Sequence, residues 1–364
     1  MKPTQKILFV GPHRMGRNPC QRFRFEQFIP YLEQNGFSVE YSHLLSAADD
    51  KVFYQKGRYI QKFLILVKAF FTRLKDVRRA NRYAIIFVQR EAFFTGTTYF
   101  EKRFKKSGAK LIYDFDDALW KLDVSEGNKL FSRLKNPNKT AQLIQLADVV
   151  IAGNTYLADY ARKHNSNVVI IPTTLDTNYH QPLGAKPTQK PLCIGWTGSI
   201  TTVKHFETIV PVLEQLKTKY GEEITFCLIG DPDYHCAALH LRGIAWKPET
   251  EISDLSQIDI GIMPLPDDEW AKGKCGFKGL QYMALEIPTV MSPVGVNTEI
   301  IQDGENGFLA ATNEEWIEKL SRLIENETLR TRLGEAGRQT VIKNYSLESQ
   351  KERLVGVLNS YSTV

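Results

Sequence analysis

The chain has 364 residues, of which 43% are hydrophobic, and its formal net charge is +6. This length exceeds what one ordinary hydrophobic core holds, so we expect two domains. The sequence has no apolar run long enough to span a bilayer, and its N-terminal MKPTQKILFVGPH predicts a first strand rather than a signal peptide. The five cysteines show neither CxxC nor zinc spacing, which favours a reducing, cytoplasmic location.

Short β-rich runs alternate with amphipathic stretches throughout the first half. Strands are predicted at residues 7–11, 39–42, 85–89, 110–114, 149–152 and 168–172. Helical patterns such as those of residues 23–35 and 139–147 lie between them. Strands separated by helices indicate βαβ units and a parallel sheet.

The positive charge is concentrated between residues 51 and 82, where ten basic residues accompany a single acid, giving a local charge of +9. Within this segment the stretch from Tyr59 to Val77 predicts a helix with an apolar face. That face carries Ile60, Phe63, Leu64, Val67, Phe70, Phe71 and Leu74. Two interpretations remain open. The helix either packs its apolar face in the core and exposes a basic face, or lies on an anionic membrane surface. No nucleic-acid-binding motif accompanies the charge.

The alternation of strand and helix patterns is interrupted at residues 180–191, HQPLGAKPTQKP, which contain three prolines and one glycine. Such a stretch predicts a linker, which we place at residues 183–191. Further strands are predicted at residues 192–196, 224–230, 258–264, 288–291 and 308–310. We therefore expect one domain at residues 1–182, a second at 192–344, and a last helix at 345–364.

Residues 264–309 are the most informative stretch of the sequence. A helix that begins at Gly276, Phe277 and Lys278 would direct backbone N–H groups and its positive dipole end at one point. Lys278 and Gln281 would share a face beside that point. This geometry suits a diphosphate. Taken alone, the pattern also fits an ordinary β-loop-α-β unit with a solvated lysine.

The stretch resembles the donor site of the retaining, glycogen-synthase-like glycosyltransferases (family 4, group 1). The family pattern E-x-F-G-x-x-x-x-E-A-M-A-x-G-x-P-V-V precedes a Gly-x-x-x-Glu turn. The matching residues are Gly276, Gln281, Met283, Ala284, Pro288, Val290, Gly295 and Glu299. The two glutamates of the Glu-x7-Glu motif fall on Gly273 and Gln281, and a family glycine falls on Glu286. The acidic run at 267–269 either supplies a substitute carboxylate or is a solvated loop.

The resemblance implies a GT-B fold, with two doubly wound Rossmann-like domains facing an interdomain cleft and a last helix returning to the first domain. A glycine turn with a following cation, Gly198 to Lys204, is similar to the family's G-R-L-x-x-x-K-G, with Ser199 in place of the arginine. Trp246 either stacks on the nucleobase or packs at a strand end. The predicted donor-binding residues are Gly198, Ser199, Lys204, Gly230, Trp246, Lys274, Gly276, Phe277, Gln281 and Glu299.

Three aspartates follow a predicted strand in LIYDFDDALW, residues 111–120. A D-x-D can hold a metal in GT-A transferases, and it also begins haloacid-dehalogenase phosphatases, but the partner residues of both are missing. We favour a third interpretation, in which Asp116 and Asp117 orient an acceptor or stabilise the transition state. With Lys278 they are the predicted catalytic residues. Gly16 and Arg22 are predicted at the acceptor, and no metal site is expected.

The resemblance implies transfer of a sugar from a nucleotide sugar, such as a UDP- or GDP-sugar, to a hydroxyl of a glycan or lipid-linked acceptor. The anomeric configuration would be retained, with no metal or further cofactor. We expect a role in polysaccharide biosynthesis, in the cytoplasm or on the inner face of the membrane. The alternatives are a non-catalytic nucleotide-sugar-binding scaffold and an epimerase of the same fold.

Overall fold

The computed structural model describes residues 5–121, 136–184 and 191–361. The chain divides into two compact units, Met1–Thr174 with Gln350–Val364, and Leu175–Ser349. The division therefore falls between Thr174 and Leu175. Most of the predicted linker, residues 185–190, lies outside the described residues.

The first unit contains a parallel sheet with helices between its strands. The strands are β1 (Gln5–Val10), β2 (Phe37–Ser42), β3 (Ile85–Gln89), β4 (Lys110–Phe115), β5 (Val149–Ala152) and β6 (Val168–Ile170). The helices are α1 (Pro19–Arg22), α2 (Ile29–Gln34), α3 (Ala47–Phe53), α4 (Tyr59–Arg79), α5 (Tyr99–Lys105), α6 (Lys139–Leu146) and α7 (Thr155–Arg162). The strand order is β2-β1-β3-β4-β5-β6. Every residue of β3 and β5 is buried, which is the pattern typical of parallel strands covered by helices on both faces.

The second unit repeats this architecture. Its strands are β7 (Leu192–Thr197), β8 (Ile224–Ile229), the short pair β9 (His235–Cys236) and β10 (Leu241–Arg242), β11 (Ile260–Met263), β12 (Thr289–Met291) and β13 (Phe308–Leu309). Its helices are α8 (Val203–Glu207), α9 (Val210–Tyr220), α10 (Glu251–Leu255), α11 (Glu269–Lys272), α12 (Phe277–Ala284), α13 (Asn297–Ile300), α14 (Asn313–Glu325) and α15 (Glu327–Thr340). The parallel sheet has the order β13-β12-β11-β7-β8, and β9 pairs with β10 antiparallel.

Both parallel sheets reverse their strand order beside the first strand. In the second unit β7 lies between β8 and β11. The chain therefore adds β8 on one side of β7 and the later strands β11, β12 and β13 on the other side. Open α/β sheets bind ligands in the crevice at the carboxyl ends of the strands next to such a reversal. The prediction of two doubly wound α/β units is confirmed.

The last helix, α16 (Leu347–Ser360), begins in the second unit, and its residues from Gln350 onward belong to the first. Its Leu354 and Leu358 are buried. The ammonium group of Lys351 lies 4.6 Å from the ring centroid of Tyr31. The end of the chain therefore completes the first unit.

Helix α4 buries the face opposite to the one that the core-helix interpretation of residues 59–77 placed in the core. That interpretation is therefore wrong. The buried face carries Lys62, Ile65, Ala69, Arg73 and Asp76, whereas the expected core residues at 60, 63, 64 and 71 are exposed. Among the described residues, no helix is both long and apolar enough to cross a membrane.

A buried hydrogen-bond network explains this orientation. The Arg73 guanidinium donates to the Ala92 carbonyl at 2.6 Å, the Gly11 carbonyl at 2.7 Å and the Asp76 carboxylate at 2.9 Å. Ser42 accepts a further bond from Arg73 and donates to Asp76. A buried charge is tolerated only when it is paired in this way, so the network fixes which face of α4 points inward.

We expect Arg73→Met to destabilise the protein by about 3 kcal/mol, because it removes the donor to two buried carbonyls and leaves the buried Asp76 carboxylate with Arg79 as its remaining ion-pair partner. Lys75→Met is the matched control, since Lys75 is an exposed cation on the same helix. Urea denaturation measures both variants. Equal midpoints for the two variants would show that the network does not fix the helix.

Candidate functional site

Two glycines allow the ends of β7 and β8 to approach each other closely. Gly198 follows β7 and donates its N–H to the Ile229 carbonyl at 2.9 Å. Gly230 follows β8 with φ +125, and a Cβ built there would lie 1.7 Å from the Gly198 carbonyl oxygen. A Cβ at Gly198 would lie 2.4 Å from the Trp196 ring, so both positions require glycine, and both remain partly exposed at the ends of their strands.

The first turn of α12 brings Lys278 against this glycine turn. Gly276 precedes the helix with φ +67. A Cβ at Gly198 would lie 2.7 Å from Lys278 Cε, and the Lys278 ammonium lies 5.3 Å from the Trp196 ring centroid. Two motifs that are distant in the sequence thus meet at one point, where the helix N-terminus adds its positive dipole end.

The pKa of His205 reflects the positive charge of this region. Its side chain is buried and its Nε2 atom has no hydrogen-bond partner among the described residues. Burial, followed by the charges of Lys278, Lys204 and Lys274, lowers the pKa of His205 from 6.5 to about 4. Three of the predicted lysines therefore act on one neutral imidazole, and a polyanion would relieve their mutual repulsion.

A buried carboxylate joins two further predicted residues. Glu251, the first residue of α10, is only 3% exposed. Its Oε1 accepts hydrogen bonds from Trp246 Nε1 and Gln281 Nε2, both at 3.2 Å. Its Oε2 accepts from the Tyr179 hydroxyl at 3.1 Å. Sequence analysis missed Glu251, because an acid in the first turn of a short helix is indistinguishable from an ordinary dipole-stabilising charge.

The remaining predicted donor residues have more local roles. Ser199 is exposed, and its Oγ lies 3.0 Å from Thr201 Oγ1. Phe277 is the half-buried first residue of α12. Glu299, exposed on α13, lies near Tyr345: burial, and then the charge of Glu299, raises the pKa of Tyr345 to about 12.

The acidic run at 267–269 forms a helix cap and an ion pair. Asp268 caps α11 by accepting a hydrogen bond from the Ala271 N–H at 2.7 Å. Asp267 pairs with Lys272 at 2.9 Å, and both of these side chains are substantially exposed. These contacts favour the solvated-loop interpretation of the run over a substitute sugar-binding carboxylate.

In the first unit, arginines bind all three aspartates of the 111–120 motif. Asp114 and Arg24 form a buried pair, and Arg90 binds both Asp116, at 2.7 Å, and Asp117. Burial raises the pKa of Asp114. Burial also acts to raise the pKa of Asp116, but the charge and hydrogen bond of Arg90 outweigh it and lower that pKa. The carboxylate of Asp116 is therefore ionised at neutral pH.

Cys20, Asp116 and Asp117 place potential ligand atoms within 4.8 Å of one another. The guanidinium of Arg90 already supplies a positive charge to both carboxylates, so a divalent cation would compete with it. Sequence analysis missed Arg90, which has a left-handed backbone conformation with φ +61. No motif around Arg90 in the sequence indicates that its guanidinium contacts the aspartates that follow β4.

The predicted acceptor residues lie in the segment that follows β1. Gly16, with φ +73, donates its N–H to Glu26 Oε2 at 2.7 Å. The Arg22 guanidinium lies 4.8 Å from the Phe23 ring centroid. Arg22 shares α1 with Cys20, whose thiol is hydrogen-bonded to Asp116, so α1 links this segment to the aspartates. The acceptor roles of Gly16 and Arg22 remain predictions.

Residues 191–326 match the family model described as glycosyl transferases, group 1. Over this segment the chain is similar to the group 1 glycosyltransferases. The whole chain is similar in fold to a glycosyltransferase of Rickettsia africae, with a TM-score of 0.68, 16% identity and 98% of each chain covered. Sucrose-phosphate synthase of Thermosynechococcus elongatus is similar in fold with a TM-score of 0.67 and 14% identity, and 98% of each chain is covered. No curated protein sequence matches the chain.

HepE of Anabaena, in a complex with UDP and glucose, is a further similar structure, with a TM-score of 0.67 and 15% identity over 98% of this chain and 100% of that one. These likenesses show the GT-B glycosyltransferase fold. The matched segment contains the glycine turns, the three lysines and the Glu251 cluster (Glu251 with Trp246 and Gln281), whereas Tyr179 and Tyr345 lie outside it.

The lowered pKa of His205 predicts a loss of stability in acid. The unfolded chain takes up a proton near pH 6.5, but the folded imidazole does so only near pH 4, so the free energy of unfolding falls as the pH falls through this window. His205→Gln removes this contribution, whereas the exposed control His235→Gln keeps it.

Histidine NMR measures the titration directly. We expect a midpoint for His205 near pH 4, and a higher midpoint in Lys278→Met, because a neighbouring positive charge is lost. A native midpoint near 6.5 would contradict the buried, cation-rich environment.

Proposed function

We propose that this protein transfers a sugar from a nucleotide sugar to a hydroxyl of a glycan or lipid-linked acceptor, with retention of configuration and without a divalent metal or other cofactor. The contact between Lys278 and Gly198 carries the proposal. It joins a cation, a helix N-terminus and a glycine turn at the sheet reversal, where α/β folds bind phosphates.

The lysines would stabilise the departing diphosphate. When the bond between the anomeric carbon and the diphosphate oxygen breaks, the electron pair leaves with the diphosphate. Lys278, with Lys204 and Lys274 near it, supplies positive charge for that group. In this proposal the ammonium groups perform the task that a divalent cation performs in other transferases, and the glycine backbone permits close approach of the phosphates.

The Glu251 cluster would hold the nucleoside. Trp246 is 37% exposed, so its ring offers a stacking surface, while its indole N–H is held by Glu251. Gln281 takes the place of a family glutamate, and the neighbouring Glu251 provides the carboxylate that the motif lacks. Similar structures of HepE contain UDP and UDP-glucose, which makes uridine donors the first to test.

A nucleotide-sugar-binding protein without transferase activity is the second candidate. The glycine at position 273, where the family has its first glutamate, favours it, because a direct contact to the sugar is lost. Release of UDP from UDP-glucose and other UDP-sugars separates the two candidates. Binding without release over hours, with a panel of acceptors present, would support the binding protein, and an unchanged anomer in the product would support retention.

We expect Lys278→Met to lower the rate of UDP release by about 100-fold, because charge stabilisation of the leaving diphosphate is lost. Lys217→Met, which removes a partly buried lysine of α9 paired with Glu222, should leave the rate unchanged. A Lys278→Met enzyme as fast as the native enzyme would refute the role of Lys278.

Restoring the family glutamate should impair the site. Gln281→Glu would place two buried carboxylates side by side, and their repulsion should weaken UDP binding by about tenfold. The double variant Glu251→Gln with Gln281→Glu again pairs one acid with one amide and should regain affinity. Calorimetry with UDP measures all three proteins, with the exposed Glu249→Gln as the control. Tight binding by the single variant would show that the two side chains are not coupled.

A further inference from the structure

The outward face of α4 is strongly apolar. Ile60 is 79% exposed, Phe63 62%, Leu64 59% and Phe71 63%. Their spacing places these four side chains on one face of the helix, and we call them the α4 apolar stripe. Single exposed apolar residues are common on soluble proteins, but a continuous stripe of this kind marks an interaction surface.

The stripe cannot exchange with the buried face of the helix. Turning α4 about its axis would carry Arg73 away from the Gly11 and Ala92 carbonyls, which would lose these buried hydrogen bonds. It would also carry Asp76 away from the Ser42 hydroxyl. The hydrogen bonds and ion pair of Arg73 therefore determine which face of α4 is buried, and the α4 apolar stripe remains exposed to solvent.

Exposed cations lie on α4 and in the segments that flank it in sequence. Seven of the ten basic residues between positions 51 and 82 are exposed, namely Lys51, Lys56, Arg58, Lys68, Lys75, Arg78 and Arg82. The one acid in this segment, Asp76, is buried. Lys68 pairs with Asp49 of α3 at 2.7 Å, and 58% of its side chain remains exposed. The exposed part of this segment thus combines apolar side chains with a net positive charge.

We propose that α4 binds the surface of an anionic lipid bilayer. The helix would lie in the plane of the membrane, with the α4 apolar stripe at the boundary of the acyl chains and its lysines and arginines at the lipid phosphates. Amphipathic helices with aromatic and aliphatic residues on one side and cations beside them bind membranes in this way, and anionic lipid adds electrostatic attraction.

A second copy of the chain fits the surface less well. In a two-fold symmetric dimer the same patch faces itself, so seven exposed cations of each copy would be brought toward those of the other. A bilayer containing acidic lipids supplies the apolar layer and the negative charge together. The inference rests on this surface alone, so its failure would leave the proposed transfer reaction intact.

Vesicle co-sedimentation tests the proposal with the full chain. We expect binding to vesicles of phosphatidylcholine with phosphatidylglycerol, weaker binding to phosphatidylcholine alone, and a loss of binding at high salt. Two double variants separate the contributions: Phe63→Ser with Phe71→Ser removes apolar contact, and Lys68→Gln with Lys75→Gln removes charge. Each should weaken binding by about tenfold.

Leu183→Ser is the matched control, because Leu183 is an apolar residue of the second unit that is 68% exposed. It should bind vesicles like the native protein, and all variants should share the native circular dichroism spectrum and cooperative thermal unfolding, which shows that they are folded. Absence of binding to the anionic vesicles, or equal binding by the native protein and both double variants, would overturn the proposal. Self-association in sedimentation velocity that Phe63→Ser with Phe71→Ser abolishes would assign the stripe to a second copy instead.

Discussion

The close approach of two strand ends, at Gly198 and Gly230, is the constraint on which the second-unit site depends. The Gly198 carbonyl occupies the space that a side chain at Gly230 would need. Because the backbone is bare there, the Lys278 side chain can lie directly against Gly198, and the turn leads into the helix that carries His205. The low pKa of His205 is the electrostatic result, since a buried imidazole near three ammonium groups stays neutral.

In the second unit a carboxylate that the family motif places on one helix is supplied from another helix. The glutamate expected at position 281 is a glutamine, but a carboxylate is still present, because Glu251 reaches the same place from α10 and binds the glutamine directly. Trp246 and Tyr179 share that carboxylate, so the amide, the indole and the phenol are positioned by one acid. A motif read along the chain detects the loss of an acid but not its replacement from another element.

The strands were predictable because buried parallel strands appear in the sequence as unbroken runs of Val and Ile between turn residues. The glycine turns were predictable for the same local reason. The orientation of α4 was not, because the partners of Arg73, at Gly11, Ser42 and Ala92, come from three other segments. Amphipathic periodicity identifies two faces of a helix, but a fully paired buried arginine decided which face is inside. The pair β9 and β10, with two residues in each strand, is too short to give a periodic signal.

The membership of α16 in the first unit bears on how the protein can be dissected. A fragment that ends at Thr174 would lack the buried Leu354 and Leu358, and the surface of the first unit that covers them would face water. Such a fragment would be prone to aggregate for a reason unrelated to its own sequence. Separate production of the first unit therefore calls for its terminal helix to be supplied as well, either by a fusion that rejoins residues 350–361 through a short tether or by co-expression of that helix as a peptide.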